Sequence, residues 1–146
     1  MSRAPGFSPL ADLPPLPRVM YPTVTISDRI VRADVTDVDG GDVTLQFRPY
    51  QAVRLTTLDC FLAPGDLPRH LEHIYWSRTS PWLDELTKAL SEVDRTADFM
   101  QRAIHFLLPA GDDVLEVVGW AIHVDRAGAA PMSWPADDAS SDGAPA

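Results

Sequence analysis

The stretch from residue 103 to 124 constrains this chain most. It contains two apolar runs, Ile104-His105-Phe106-Leu107-Leu108 and Val114-Leu115-Glu116-Val117-Val118-Gly119-Trp120-Ala121-Ile122, joined by Pro109-Ala110-Gly111-Asp112-Asp113. The joint has the residues of a hairpin turn. The second run is apolar at consecutive positions, so both of its faces need cover, and such a strand belongs in the middle of a sheet. The spacing predicts helix over one face and further chain over the other. Neither run approaches the roughly 20 apolar residues of a membrane-spanning helix.

The rest of the sheet is read from simpler patterns. Val31, Ala33 and Val35 alternate with polar residues, as do Val43, Leu45 and Phe47, so each run sets one face on a core. Between them Asp37-Val38-Asp39-Gly40-Gly41-Asp42 signals a turn. A two-residue Gly40-Gly41 loop would oppose apolar Val35 to polar Gln46. A three-residue loop, Asp39-Gly40-Gly41, sets Val35 opposite Leu45 and Ala33 opposite Phe47, so it is expected, with a glycine at positive φ. Pro49-Tyr50 is expected to turn the chain into a third strand over 51–58.

Two helices are expected between these strands and the last hairpin. Asp66 can cap a short one over 67–76. Thr79-Ser80-Pro81 starts a second, with Asp84 and Glu85 at its positive end and an apolar face of Trp82, Leu86, Ala89, Leu90 and Val93 running to about Asp94. Strands, then helices, then strands predict an α+β fold. Its antiparallel sheet has about five strands covered by one or two helices.

The flanks differ in composition. Residues 1–22 hold six of the 14 prolines, which cannot donate to a ladder, so an extended or disordered arm is expected. Within it, Leu13-Pro14-Pro15-Leu16-Pro17-Arg18 has the composition of a polyproline II segment, though a solvated or loosely lying arm is the simpler expectation. Residues 127–146 are expected to form a disordered acidic tail of small and polar residues, with Trp134 as the exception that can pack back on the domain. The single domain is placed at 23–126. Limited proteolysis is expected to trim both flanks and leave it folded.

The net charge of −9 argues against nucleic acid and anionic membranes as partners. One cysteine rules out an internal disulfide framework. With no signal-peptide pattern after Met1, a cytoplasmic protein is the expectation. Of 12 basic residues only Lys88 is lysine, a bias that fits a GC-rich bacterial genome. No phosphate loop, dinucleotide fingerprint or Gly-x-Ser-x-Gly elbow is present.

The candidate chemistry is sparse. His70 and His73 would share a face of the short helix, but a zinc site needs three or four ligands, so no metal and no cofactor are expected. Cys60, after Asp59 at a strand end, is a nucleophile only if a histidine such as His105 or His123 reaches it. Asp112 and Asp113 form an acidic turn without the loop of a calcium site. His105 and Glu116 interrupt apolar runs, and a two-residue Ala110-Gly111 turn sets them opposite each other as an acid–base pair.

Two functions follow. With +1 in the arm and −3 in the tail, residues 23–126 carry −7. An acidic module of that kind, inhibitor-like or immunity-like, would mask a basic surface on a partner protein. The alternative is a small cofactor-independent enzyme with an apolar pocket for an organic substrate, using His105, Glu116, Asp59 or Cys60. A pocket holding His105 and Glu116 favours the enzyme. A filled core with a contiguous acidic face favours the binder.

Overall fold

The computed structural model describes residues 6–11, 13, 15–17, 21–65, 67, 68 and 70–135. Among them the chain forms one open antiparallel sheet of eight strands and a single α-helix. The strands are β1 (Ser8–Pro9), β2 (Thr23–Ser27), β3 (Ile30–Thr36), β4 (Asp42–Thr57), β5 (Tyr75–Ser77), β6 (Ile104–Ala110), β7 (Asp113–Arg126) and β8 (Met132–Trp134). The helix, α1, spans Pro81–Val93. The sheet order is β1-β5-β6-β7-β4-β3-β2, with β8 also on β7. The twice-apolar strands β6 and β7 are therefore central, as their composition requires. No helix among the described residues is long and apolar enough to cross a membrane.

The sheet has more strands than the expected five or so, and the helices are fewer than two. The short helix expected over 67–76 does not form. Tyr75-Trp76-Ser77 instead pairs with Leu107, Phe106 and His105 at the edge of β6. Aromatic side chains suit a half-buried strand, so the free edge of β6 wins. Asp66, the expected cap, lies outside the described residues. The expected break at Pro49 is also absent. β4 runs on as a 16-residue strand with a register shift between Tyr50 and Ala52. Pro49 is tolerated because β3 pairs only as far as Phe47.

The first hairpin keeps the expected faces but moves its loop by one residue. Val35 faces Val43 and Ala33 faces Leu45. The Asp37 N–H donates to the Gly41 carbonyl at 2.9 Å, leaving residues 38–40 as the tip, with Gly40 at φ 84°. Asp37 fixes this choice, because its carboxylate accepts the Asp39 and Gly41 N–H groups, both at 2.9 Å.

The buried side of β7 changes along its length. Leu115 and Val117 enter the main core from its first half, Ile122 and Val124 from its second. The odd-to-even switch falls around Gly119, where an added Cβ would come within 3.0 Å of the Pro49 carbonyl oxygen. The register shift between Tyr50 and Ala52 of β4 lies opposite this point. One side of the sheet holds the main core, and α1 with the Phe99–Arg102 turn covers part of the other, outer face, through Leu83, Met100, Ala103 and Val118.

The described residues between 6 and 17 form no helix and one short strand, β1, and they are not loosely held. Leu10 and Leu16 are buried in the main core. The Leu10 and Leu16 N–H groups donate to the carbonyls of Ile74 and Glu72, both at 2.7 Å, and Pro15 accepts from Val38 at 3.3 Å. Leucines without periodicity still bury apolar area when an open sheet leaves a core to close. Pro14 and Arg18 lie outside the described residues, as do residues 136–146. The tail's Trp134 packs on Trp76, with ring centroids 4.5 Å apart.

Candidate functional site

The second hairpin turns one residue later than the sequence pattern indicates. Ala110 pairs with Asp113, and Gly111 takes φ 68° at the first position of a two-residue turn. His105 therefore opposes Val118, and Glu116 opposes Leu107. The two remain on one face as diagonal neighbours, within reach for long side chains. His105 Nε2 lies 2.8 Å from Glu116 Oε1.

Two further residues complete the site. Arg54 on β4 stands directly across from Glu116. Its Nε and Nη2 donate to the two carboxylate oxygens at 2.7 and 3.1 Å. Ser80 is the N-cap of α1 and accepts the Leu83 N–H at 3.3 Å. The same Oγ lies 2.7 Å from His105 Nδ1. Ser80, His105 and Glu116 are all buried. Phe7 and Trp82 meet the imidazole edge-on at centroid distances of 5.2 and 5.1 Å, and Arg54 stacks on Trp82.

The hydrogen bonds assign the roles. Burial alone would push the Glu116 carboxyl up. Hydrogen bonds from His105 and Arg54 outweigh it and hold the carboxyl below its ordinary value. Glu116 is thus a carboxylate and only accepts. In the neutral ring, Nε2 donates to Glu116 and the Nδ1 lone pair accepts the Ser80 hydroxyl proton. The result is a serine–imidazole–carboxylate chain, anchored by Arg54 and opened at its serine end by a helix N-terminus.

These groups form the floor of a cavity of about 370 Å³ whose walls include Phe7, Phe61, Leu62 and Trp82. Cys60 lines the same cavity and is exposed. Asp59 is exposed and lies outside the lining. His70 is exposed and His73 rests edge-on against Tyr75, so the expected shared helical face does not exist. His123 lies on β7 against Ser133 of β8, outside this cavity. Among the described residues no three His, Cys, Asp or Glu side chains gather as metal ligands.

The low Glu116 pKa links the site to acid stability. A depressed carboxyl pKa stabilises the fold above its unfolded value, here 4.5, and the contribution is lost as pH falls through the folded value. Thermal unfolding followed by circular dichroism from about pH 5 to about pH 3 should therefore show a steeper decline for wild type than for Glu116→Gln. Parallel declines would mean that Glu116 is not held as a carboxylate.

Arg54 and Ser80 escaped the sequence reading. Ser80 was visible only at the start of a helix, and Arg54 only as one residue of the strand expected over 51–58. Comparison with known protein families, with curated proteins and with solved structures finds no match for the chain.

Proposed function

We propose that this chain is a small cofactor-independent enzyme that cleaves an organic acyl compound, with Ser80 as nucleophile, His105 as base and Glu116 as the group that orients it. The reading rests on one observation, the Ser80–His105–Glu116 chain on the floor of an apolar-walled cavity. It follows the nucleophile–base–orienter logic of serine hydrolases, with the two ring nitrogens exchanged.

In the forward step the Ser80 oxygen adds to the acyl carbon while its proton passes to His105 Nδ1. Glu116 stabilises the imidazolium across Nε2. His105 returns the proton to the leaving group as its bond to the acyl carbon breaks. Water then repeats the sequence, releasing the acid and restoring Ser80. The N-terminus of α1 puts the positive end of a helix dipole where negative charge develops. Phe7, Phe61 and Trp82 favour a substrate with an apolar body.

The protein-masking reading keeps net charge as its support. On the uncovered half of the outer sheet face, arginines interrupt any acidic surface: Arg32 and Arg48 line one hollow there, Arg29 and Arg48 another.

A fluorophosphonate probe is expected to label one site, mapped by mass spectrometry to Ser80. Ser80→Ala and His105→Gln should each reduce labelling and p-nitrophenyl butyrate hydrolysis by roughly a thousandfold. Loss of the cap in Ser80→Ala should cost only about 1 kcal/mol, so the folded variant remains measurable. An unlabelled wild type, or label retained in Ser80→Ala, would sink the proposal.

A further inference from the structure

The part of the outer sheet face that α1 leaves uncovered carries a second group of polar side chains. Arg48 extends from β4, Trp120 and His123 from β7 and Ser133 from β8, around a recess of about 180 Å³ that Arg102 also lines. No carboxylate is among the described residues lining it, in a chain whose net charge is −9. Arg32, nearby on β3, is committed to Asp34 at 3.0 Å. Arg48 has no carboxylate partner among the described residues.

Two further observations bear on the polar groups around this recess. The Trp120 Nε1–H is buried and has no acceptor among the described residues. A buried donor left without an acceptor is uncommon, because its desolvation goes uncompensated. His123 Nδ1 is engaged by Ser133 Oγ at 2.7 Å, which leaves Nε2 as the ring's other nitrogen. Burial, with the charge of Arg48, also holds the His123 pKa below its ordinary value.

We propose that this recess binds a small oxyanion, a phosphate or carboxylate group. Arg48 supplies the bidentate, charge-assisted contact such a group takes best. The Trp120 indole and the His123 ring lie on the same lining, and Arg102 stacks on Trp120 with its guanidinium carbon 4.2 Å from the ring centroid. The recess holds little more than the anionic group itself. An adjoining hollow lined by Asp28, Arg29 and Arg48 leaves room for the rest of a larger molecule. The site is separate from the Ser80 cavity and shares no lining residue with it.

The test is a titration of the full chain with sodium phosphate and, separately, sodium acetate, at ionic strength held constant with chloride. The readout is the Trp120 indole N–H resonance, assigned by its loss in Trp120→Phe. A saturable shift is expected with at least one anion, and Arg48→Gln should weaken it at least tenfold while leaving the unfolding temperature of the anion-free protein unchanged. Response to phosphate alone assigns a phosphate ligand, response to acetate alone a carboxylate, and response to both an oxyanion site that reads charge and size. Shifts that match those of chloride, or equal affinity in Arg48→Gln, overturn the proposal.

Discussion

Glu116→Ala is expected to remove about 1–3 kcal/mol of stability, the range for leaving a buried hydrogen-bond donor without its acceptor. For a chain of this size that lowers the melting temperature by on the order of 5 °C. The loss falls unevenly on the two groups Glu116 serves. The Arg54 side chain is 48% exposed and can turn to water when its partner goes. The His105 side chain is 4% exposed, walled by Phe7 and Trp82, and has no comparable escape. Arg54→Ala should accordingly cost only about 1 kcal/mol, the scale of a half-exposed ion pair. Urea unfolding of the two variants makes the comparison. Equal, small losses would show that Glu116 is not the buried centre of this group.

What the sequence disclosed follows from how far apart the interacting residues lie. The alternation at Val31, Ala33 and Val35 and at Val43, Leu45 and Phe47 is a local signal, and it placed the right faces together. So is the Ser80-Pro81 start of α1, where cap, proline and acidic first turn coincide. The central position of β7 was legible because a strand apolar on both faces has nowhere else to go. His105 and Glu116 stood out for the same reason, as ionisable groups inside apolar runs.

The rest depended on pairings no local pattern contains. Tyr75-Trp76-Ser77 becomes a strand only because β6 offers an edge. Gly111 rather than Ala110 opens the second turn, since glycine takes the positive φ, and that one residue turns a directly opposed His105–Glu116 pair into a diagonal one. Arg54 meets Glu116 across 62 positions and Ser80 meets His105 across 25, contacts set by sheet order and by where α1 lands. Cys60 was selected by residue type, and the fold sets it at the mouth of the cavity. Asp59, its neighbour, falls outside.

Deleting residues 1–17 is expected to abolish the native fold or leave it barely stable. Leu10 and Leu16 are 3% and 5% exposed. Truncating a buried leucine to alanine typically costs about 2–5 kcal/mol, so losing both approaches the roughly 5–15 kcal/mol that holds an ordinary domain together. The deletion also strips the backbone partners of Ile74, Glu72 and Val38. The double variant Leu10→Ala/Leu16→Ala separates the packing loss from the loss of chain and should show most of the effect by thermal unfolding. A deletion variant that melts within a few degrees of wild type would mean that the arm merely rests on a finished domain.

Where the arm docks bears on how this protein can be joined to others. The Gly6 N–H points to Thr79 Oγ1 at 3.4 Å, and the next residue, Phe7, is a wall of the cavity. A peptide joined directly to Gly6, in place of residues 1–5, would therefore start beside Thr79, one residue from Ser80. An affinity tag or fusion partner at that end would crowd the pocket mouth and compete with whatever enters it. Loss of ligand binding in an N-terminally tagged protein would thus report steric blockage before it reported on the chemistry of the site.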